Sequence, residues 1–89
     1  MYEQEVANRI PILFAVSTCP RCQRMKKFLQ EHKVQAKVVD YDLLPPEEKR
    51  PVLRFLQPIN PRLSFPTLVV GDMAVIGEDY QGVKEVLDL

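Results

Sequence analysis

Ser17-Thr18-Cys19-Pro20-Arg21-Cys22 is the stretch on which the reading of this chain turns, and it holds both of its cysteines. It stands where a nearly continuous apolar run, Pro11 to Val16, gives way to a helical pattern. Such a run fits a strand covered on both faces, with Pro11 tolerable as its first residue because no ladder donor is needed there. Ser17 and Thr18 bring turn and cap chemistry, and Pro20 suits the first position of a helix, where a missing N–H costs nothing. Beyond it Cys22, Met25, Phe28, Leu29 and His32 recur at three- and four-residue intervals against polar Gln23, Arg24, Lys26, Lys27 and Gln30, which predicts a helix from residue 20 to about 32.

Two thiols three positions apart at a helix start form a chemical device. Cys19, before the first turn and more exposed, is expected to attack a disulfide, and Cys22, inside the turn, to resolve the mixed disulfide that results. A helix N-terminus stabilises a thiolate by ~0.3 to 1 kcal/mol, up to ~2 in good geometry. Lowering a thiol pKa from ~8.5 to about 7 takes roughly 2 kcal/mol, so the helix end at Pro20 and the neighbouring cation of Arg21 are both expected to contribute. Three other readings stand beside this one. As a structural staple the four-residue ring removes only about 2 kcal/mol of chain entropy. As a zinc or iron–sulfur site the pair lacks a second pair of ligands, and His32, the sole histidine, falls at the helix end where a cation suits the dipole. Cys22 could also be an inert core thiol.

Outward from this stretch, Val34 to Asp42 partly alternates and reads as a second strand, with Lys37 guarding an edge. Two strands joined by a helix are parallel with a right-handed crossover. Six prolines punctuate residues 43 to 66. Pro45-Pro46-Glu47-Glu48 opens a helix, and Pro51 predicts a break after a first turn at 46–50, with a second piece ending near Gln57. Gly71-Asp72 between Thr67–Val70 and Met73–Ile76 signals an antiparallel hairpin. Gly77, Glu78 and Asp79 lead into a last helix carrying Val83, Val86 and Leu87. The order is β-α-β-α-β-β-α, an α/β domain over residues 11–89, preceded at 1–10 by a short helical lead-in or a tail.

At 89 residues the chain has room for one core. Zero net charge without large basic clusters argues against nucleic acid or an acidic membrane as partner. Residues 1 to 10 lack the apolar centre of a secretory signal, and the longest apolar run is too short to span a bilayer, so a reducing cytoplasm is the expected setting. No metal and no tightly bound cofactor is expected.

Three motifs in order, Ser17 to Cys22 after an apolar strand, Ser64-Phe65-Pro66-Thr67 before a hairpin and Ile76-Gly77-Glu78-Asp79 before the last helix, resemble those of the glutaredoxins, within the thioredoxin superfamily. The resemblance implies a thioredoxin-like fold, a four-stranded mixed sheet flanked by helices, and a dithiol-disulfide oxidoreductase in which Cys19 attacks protein disulfides or glutathione mixed disulfides. It makes Pro66 the family's cis-proline facing the cysteine pair, and gives Phe65, Pro66, Thr67, Gly77, Glu78 and Asp79 as substrate-binding residues. Glutathione becomes a possible co-substrate, and disulfide-containing proteins the substrates. Electrons would come from glutathione or from a flavoenzyme of the thioredoxin-reductase type. Val16 stands where glutathione-using members carry a lysine, which Lys26, Arg21 or Arg62 would have to replace, and Glu78 replaces a glycine. The alternatives are an iron–sulfur or metal carrier of the glutaredoxin type and a non-catalytic adaptor with the same fold.

Overall fold

The computed structural model describes residues 1–89. Eight main elements follow the chain: α1 (Glu3–Ala7), β1 (Ile12–Ala15), α2 (Pro20–Glu31), β2 (Lys37–Asp40), α3 (Pro46–Leu56), β3 (Thr67–Val70), β4 (Met73–Ile76) and α4 (Tyr80–Leu87), with one 3-10 turn at Tyr41–Leu43. The strands form a single sheet in the order β2-β1-β3-β4. β1 runs parallel to β2 and antiparallel to β3, and β3 and β4 form the antiparallel hairpin. This is the four-stranded mixed sheet flanked by helices that the sequence implied.

The apolar run of β1 is explained by coverage of both its faces. Leu13 and, across the hairpin, Leu68, Val70 and Val75 pack with Met25 and Leu29 of α2 and Val83 of α4. Ile12 and Phe14 face the other way, with Val39, Val69 and the α3 residues Val52 and Leu56. All four residues of β1 are fully buried, as period-two alternation between two covered faces requires. The lead-in before β1 is part of this packing. The Tyr2 ring meets Phe14 edge-on at 5.4 Å and Phe55 at 5.2 Å between centroids, so α1 is docked rather than a tail.

Two expectations are corrected. α3 runs unbroken from Pro46 to Leu56 with Pro51 inside it. Pro51 removes a single hydrogen bond, to the carbonyl of Glu47, and Glu47 is exposed, so water can take that acceptor while buried Val52 and Leu56 hold the next turns on the core. The second strand is also shorter than its apolar pattern. Pairing begins with the Lys37 N–H donating to the Pro11 carbonyl at 2.8 Å. β1 itself begins at Ile12, so Val34 and Ala36 have no strand beside them and pack instead against the α2/α4 face.

Candidate active site

The strand-to-helix junction puts Cys19 at the N-cap of α2 and Pro20 at its first position. The Cys22 N–H donates to Cys19 Sγ at 3.3 Å, so the sulfur occupies the place a capping oxygen normally takes. Both thiols are free. Cys19 is partly exposed and Cys22 fully buried, an asymmetry that follows from the helical period, since Cys22 shares the inner face with Met25 and Leu29.

The pKa values of the two thiols are moved in opposite directions. The Cys19 pKa is lowered, first by a hydrogen bond from the Cys22 thiol, then by the N–H groups of Cys22 and Arg21 and least by the Arg21 charge, with burial acting in the opposite direction. Burial, followed by the hydrogen bond it gives to Cys19, pushes Cys22 up to about 11. Arg21, expected to contribute beside the helix end, acts through its N–H and, last, through its charge. Its side chain points elsewhere: Nη2 donates to the Phe65 carbonyl at 3.1 Å, spanning from α2 to the loop before β3.

That loop is tied to the start of α2 through this bond. The Phe65–Pro66 peptide bond is cis. The Phe65 N–H donates to no backbone carbonyl, the Pro66 carbonyl accepts from Gly77 N–H at 2.7 Å, and the Phe65 ring stacks on Tyr41 at 6.0 Å. A residue without a sequence signal holds the loop. Asn60, only 3% exposed, donates through Nδ2 to the Ser64 carbonyl at 2.8 Å and to Thr67 Oγ1 at 2.9 Å, and Thr67 Oγ1 donates in turn to the Ser64 carbonyl at 2.8 Å. Thr67, expected to meet substrate, is fully buried with its hydroxyl committed to this network. Its side chain therefore positions the loop.

The third motif is also engaged internally. Glu78 receives both Nε and Nη2 of Arg24, at 2.7 and 2.8 Å, and the Tyr80 hydroxyl. These donors, Arg24 first, lower its pKa to about 2. Asp79 accepts from Gly82 N–H at 3.0 Å and caps α4. Gly77 reaches the site through its bond to Pro66. Around the base of α2, Ser17 donates its N–H to Asp42 at 2.8 Å and its hydroxyl to the same carboxylate, and Lys26 pairs with Asp40 at 2.8 Å. Of the cations that could replace the missing lysine, Lys26 is therefore already paired. No three or more His, Cys, Asp or Glu side chains converge in a way that could hold a metal ion, and no helix is long and apolar enough to cross a membrane.

A groove of about 650 Å³ between α1 and α3 is lined by Tyr2, Val6, Pro51 and Phe55 and includes neither cysteine. Cys19 is instead partly exposed at the capped start of α2, from which Arg21 reaches the Phe65 carbonyl.

Comparison with known proteins agrees with this arrangement. The glutaredoxin family model matches residues 12–75. The glutaredoxin of Methanosarcina mazei is 28% identical, with a TM-score of 0.85 over 90% of this chain and 79% of its own. The glutaredoxin of Archaeoglobus fulgidus is 32% identical, with a TM-score of 0.81 over 86% of this chain and 84% of its own. Methanoredoxin of Methanosarcina acetivorans is 31% identical, with a TM-score of 0.85 over 91% and 87% respectively. No curated protein matches the sequence. Family and fold together support a function of the thiol-disulfide oxidoreductase type. With a family match across most of its length and structural relatives that share its sheet and helices, the chain belongs to the glutaredoxin family.

Proposed function

We propose that this protein reduces protein disulfides, or mixed disulfides with glutathione, through Cys19 and Cys22. The observation that carries the reading is the split between the thiols. One is partly exposed at a helix N-cap with its pKa lowered, the other buried behind it with its pKa raised to about 11. In the first step the Cys19 thiolate attacks one sulfur of the substrate disulfide. A Cys19–substrate bond forms, the substrate S–S bond breaks, and the departing sulfur leaves with the electron pair and takes a proton from solvent. Cys22 then loses its proton and attacks Cys19 Sγ, forming the Cys19–Cys22 disulfide and releasing the second substrate thiol. Two electrons pass from the protein to the substrate, with one proton from Cys22 and one from solvent. The high pKa of Cys22 keeps it protonated until Cys19 is engaged, so the attacking sulfur is selected before any substrate arrives.

The Phe65–Pro66 loop presents backbone to the site, and an extended segment can pair with the Phe65 N–H and C=O as a short added strand. Gly77, bonded to Pro66, supports that edge. The oxidised protein is recharged by glutathione or by a flavoenzyme of the thioredoxin-reductase type. Steady-state reduction of a protein disulfide, coupled in turn to each donor system, tests this. Cys19→Ser should abolish turnover, and Cys22→Ser should accumulate a covalent substrate adduct visible by mass spectrometry. Full activity of Cys19→Ser would end the proposal.

A further inference from the structure

The backbone edge offered by Phe65 is half closed. Its carbonyl already accepts from Arg21 Nη2 at 3.1 Å, while its N–H has no backbone partner. Arg21 differs from the cations around it. Arg24 is held by Glu78 and Lys26 by Asp40, whereas Arg21 makes no salt bridge and its hydrogen bond goes to a neutral oxygen. Glu78, which feels the Arg21 charge, has both its oxygens occupied by Arg24. Arg21 is exposed on a flexible side chain two residues from Cys19, so its charge is uncompensated at the edge where a substrate must lie.

Resting on the oxidoreductase reading, we propose that Arg21 is a specificity-determining latch, which covers the Phe65 carbonyl in the free protein and, displaced by a substrate backbone, receives a carboxylate next to the substrate's cystine. A substrate N–H that takes the Phe65 carbonyl releases the guanidinium within reach of the residues flanking the target sulfur. An acidic neighbour offers it a charge-assisted, two-pronged partner in place of a neutral one. A neutral neighbour leaves the guanidinium to water, and a basic one repels it. The preferred substrates are therefore disulfides flanked by acidic residues.

The test uses three cysteine peptides identical except for Glu, Gln or Lys beside the cysteine, each capped as a mixed disulfide with the same chromogenic aryl thiol. Single-turnover release of the aryl thiol by the reduced protein is followed with each peptide. Rates are corrected to the thiolate form using the Cys19 pKa measured for each protein, so that any change in activation drops out. The wild type should react about threefold faster with the Glu peptide than with Gln, and more slowly still with Lys, in keeping with a partly exposed ion pair, and the spread should shrink as salt is added. In Arg21→Met the three rates should converge, and the Gln peptide should react about twofold faster than with wild type because the carbonyl stands open. Arg21→Lys, retaining the charge, should keep the order. An unchanged order in Arg21→Met, or no order in the wild type, would overturn the latch while leaving the oxidoreductase reading intact. Failure of every peptide to release aryl thiol would overturn both.

Discussion

Asn60→Ala removes a side chain that touches neither cysteine, yet it should damage both stability and reduction. Asn60 is 3% exposed and gives good hydrogen bonds to the Ser64 carbonyl and Thr67 Oγ1, at 2.8 and 2.9 Å. After truncation the Ser64 carbonyl keeps the Thr67 hydroxyl as donor, so one acceptor is not orphaned but the other loses its partner. At about 1 kcal/mol per bond, the loss is about 2 kcal/mol. With an unfolding entropy of ~2.1 cal/mol/K per residue, a domain of this size should melt roughly 10 °C lower. Asn60→Asp separates the hydrogen-bonding argument from simple volume. The introduced carboxylate is nearly the same size but cannot donate, and it faces a carbonyl in a buried site. The Thr67 hydroxyl can turn to it only by abandoning Ser64. This variant should therefore be less stable than Asn60→Ala at neutral pH and should recover part of the loss in acid, where the carboxyl gains a proton to donate. Thermal melts across pH, with aryl-thiol release rates alongside, read both effects. If Asn60→Asp melts with the wild type at neutral pH, the donor role assigned to Asn60 is wrong.

The ranking of contributions at Cys19 makes a second prediction. Cys22→Ala should raise the Cys19 pKa more than Arg21→Ala does, as judged by thiolate absorbance against pH, because the thiol hydrogen bond outweighs the charge. In the intact protein at neutral pH, limited alkylation should label Cys19 and spare Cys22, a result peptide mapping would show. At Glu78, a folded-state pKa of about 2 against an ordinary 4.5 means its stabilising effect is complete above the ordinary value and is lost as pH falls toward 2. Glu78→Gln should therefore melt below the wild type at neutral pH, with the gap closing between pH 4.5 and 2 and narrowing in high salt. A constant gap across that range would show that the Arg24 pairing is not its source.

Local periodicity and punctuation carried most of the architecture. The β1 run, the α2 stripe of Cys22, Met25 and Leu29, the Gly71-Asp72 hairpin and the start of the last helix after Gly77-Glu78-Asp79 all act within a few residues of themselves, and each formed where its pattern placed it. Legibility failed where a distant partner decides. β2 is cut short because β1 has no backbone to offer before Pro11. Pro51 sits within a helix because the turns after it are anchored by Val52 and Leu56. In the site, the cysteine pair was readable because its chemistry and its spacing coincide. The contact Arg21 makes with Phe65 was not, since that acceptor lies 44 residues away, and the Arg24–Glu78 pair spans 54. Asn60 looked like one more polar residue between prolines, and only its burial beside Ser64 and Thr67 distinguishes it.

The docking of Tyr2 on Phe14 and Phe55 has a consequence for where this domain physically ends. The family model matches residues 12–75, yet one face of the sheet borrows its covering ring from before that span, and the other takes Val83, wholly enclosed, from after it. A fragment trimmed to the shared segment would keep both thiols and the proline loop while leaving bare apolar walls on each side. The smallest autonomous unit is therefore wider than the segment the family model matches, and its outermost segments act as closures for the hydrophobic interior.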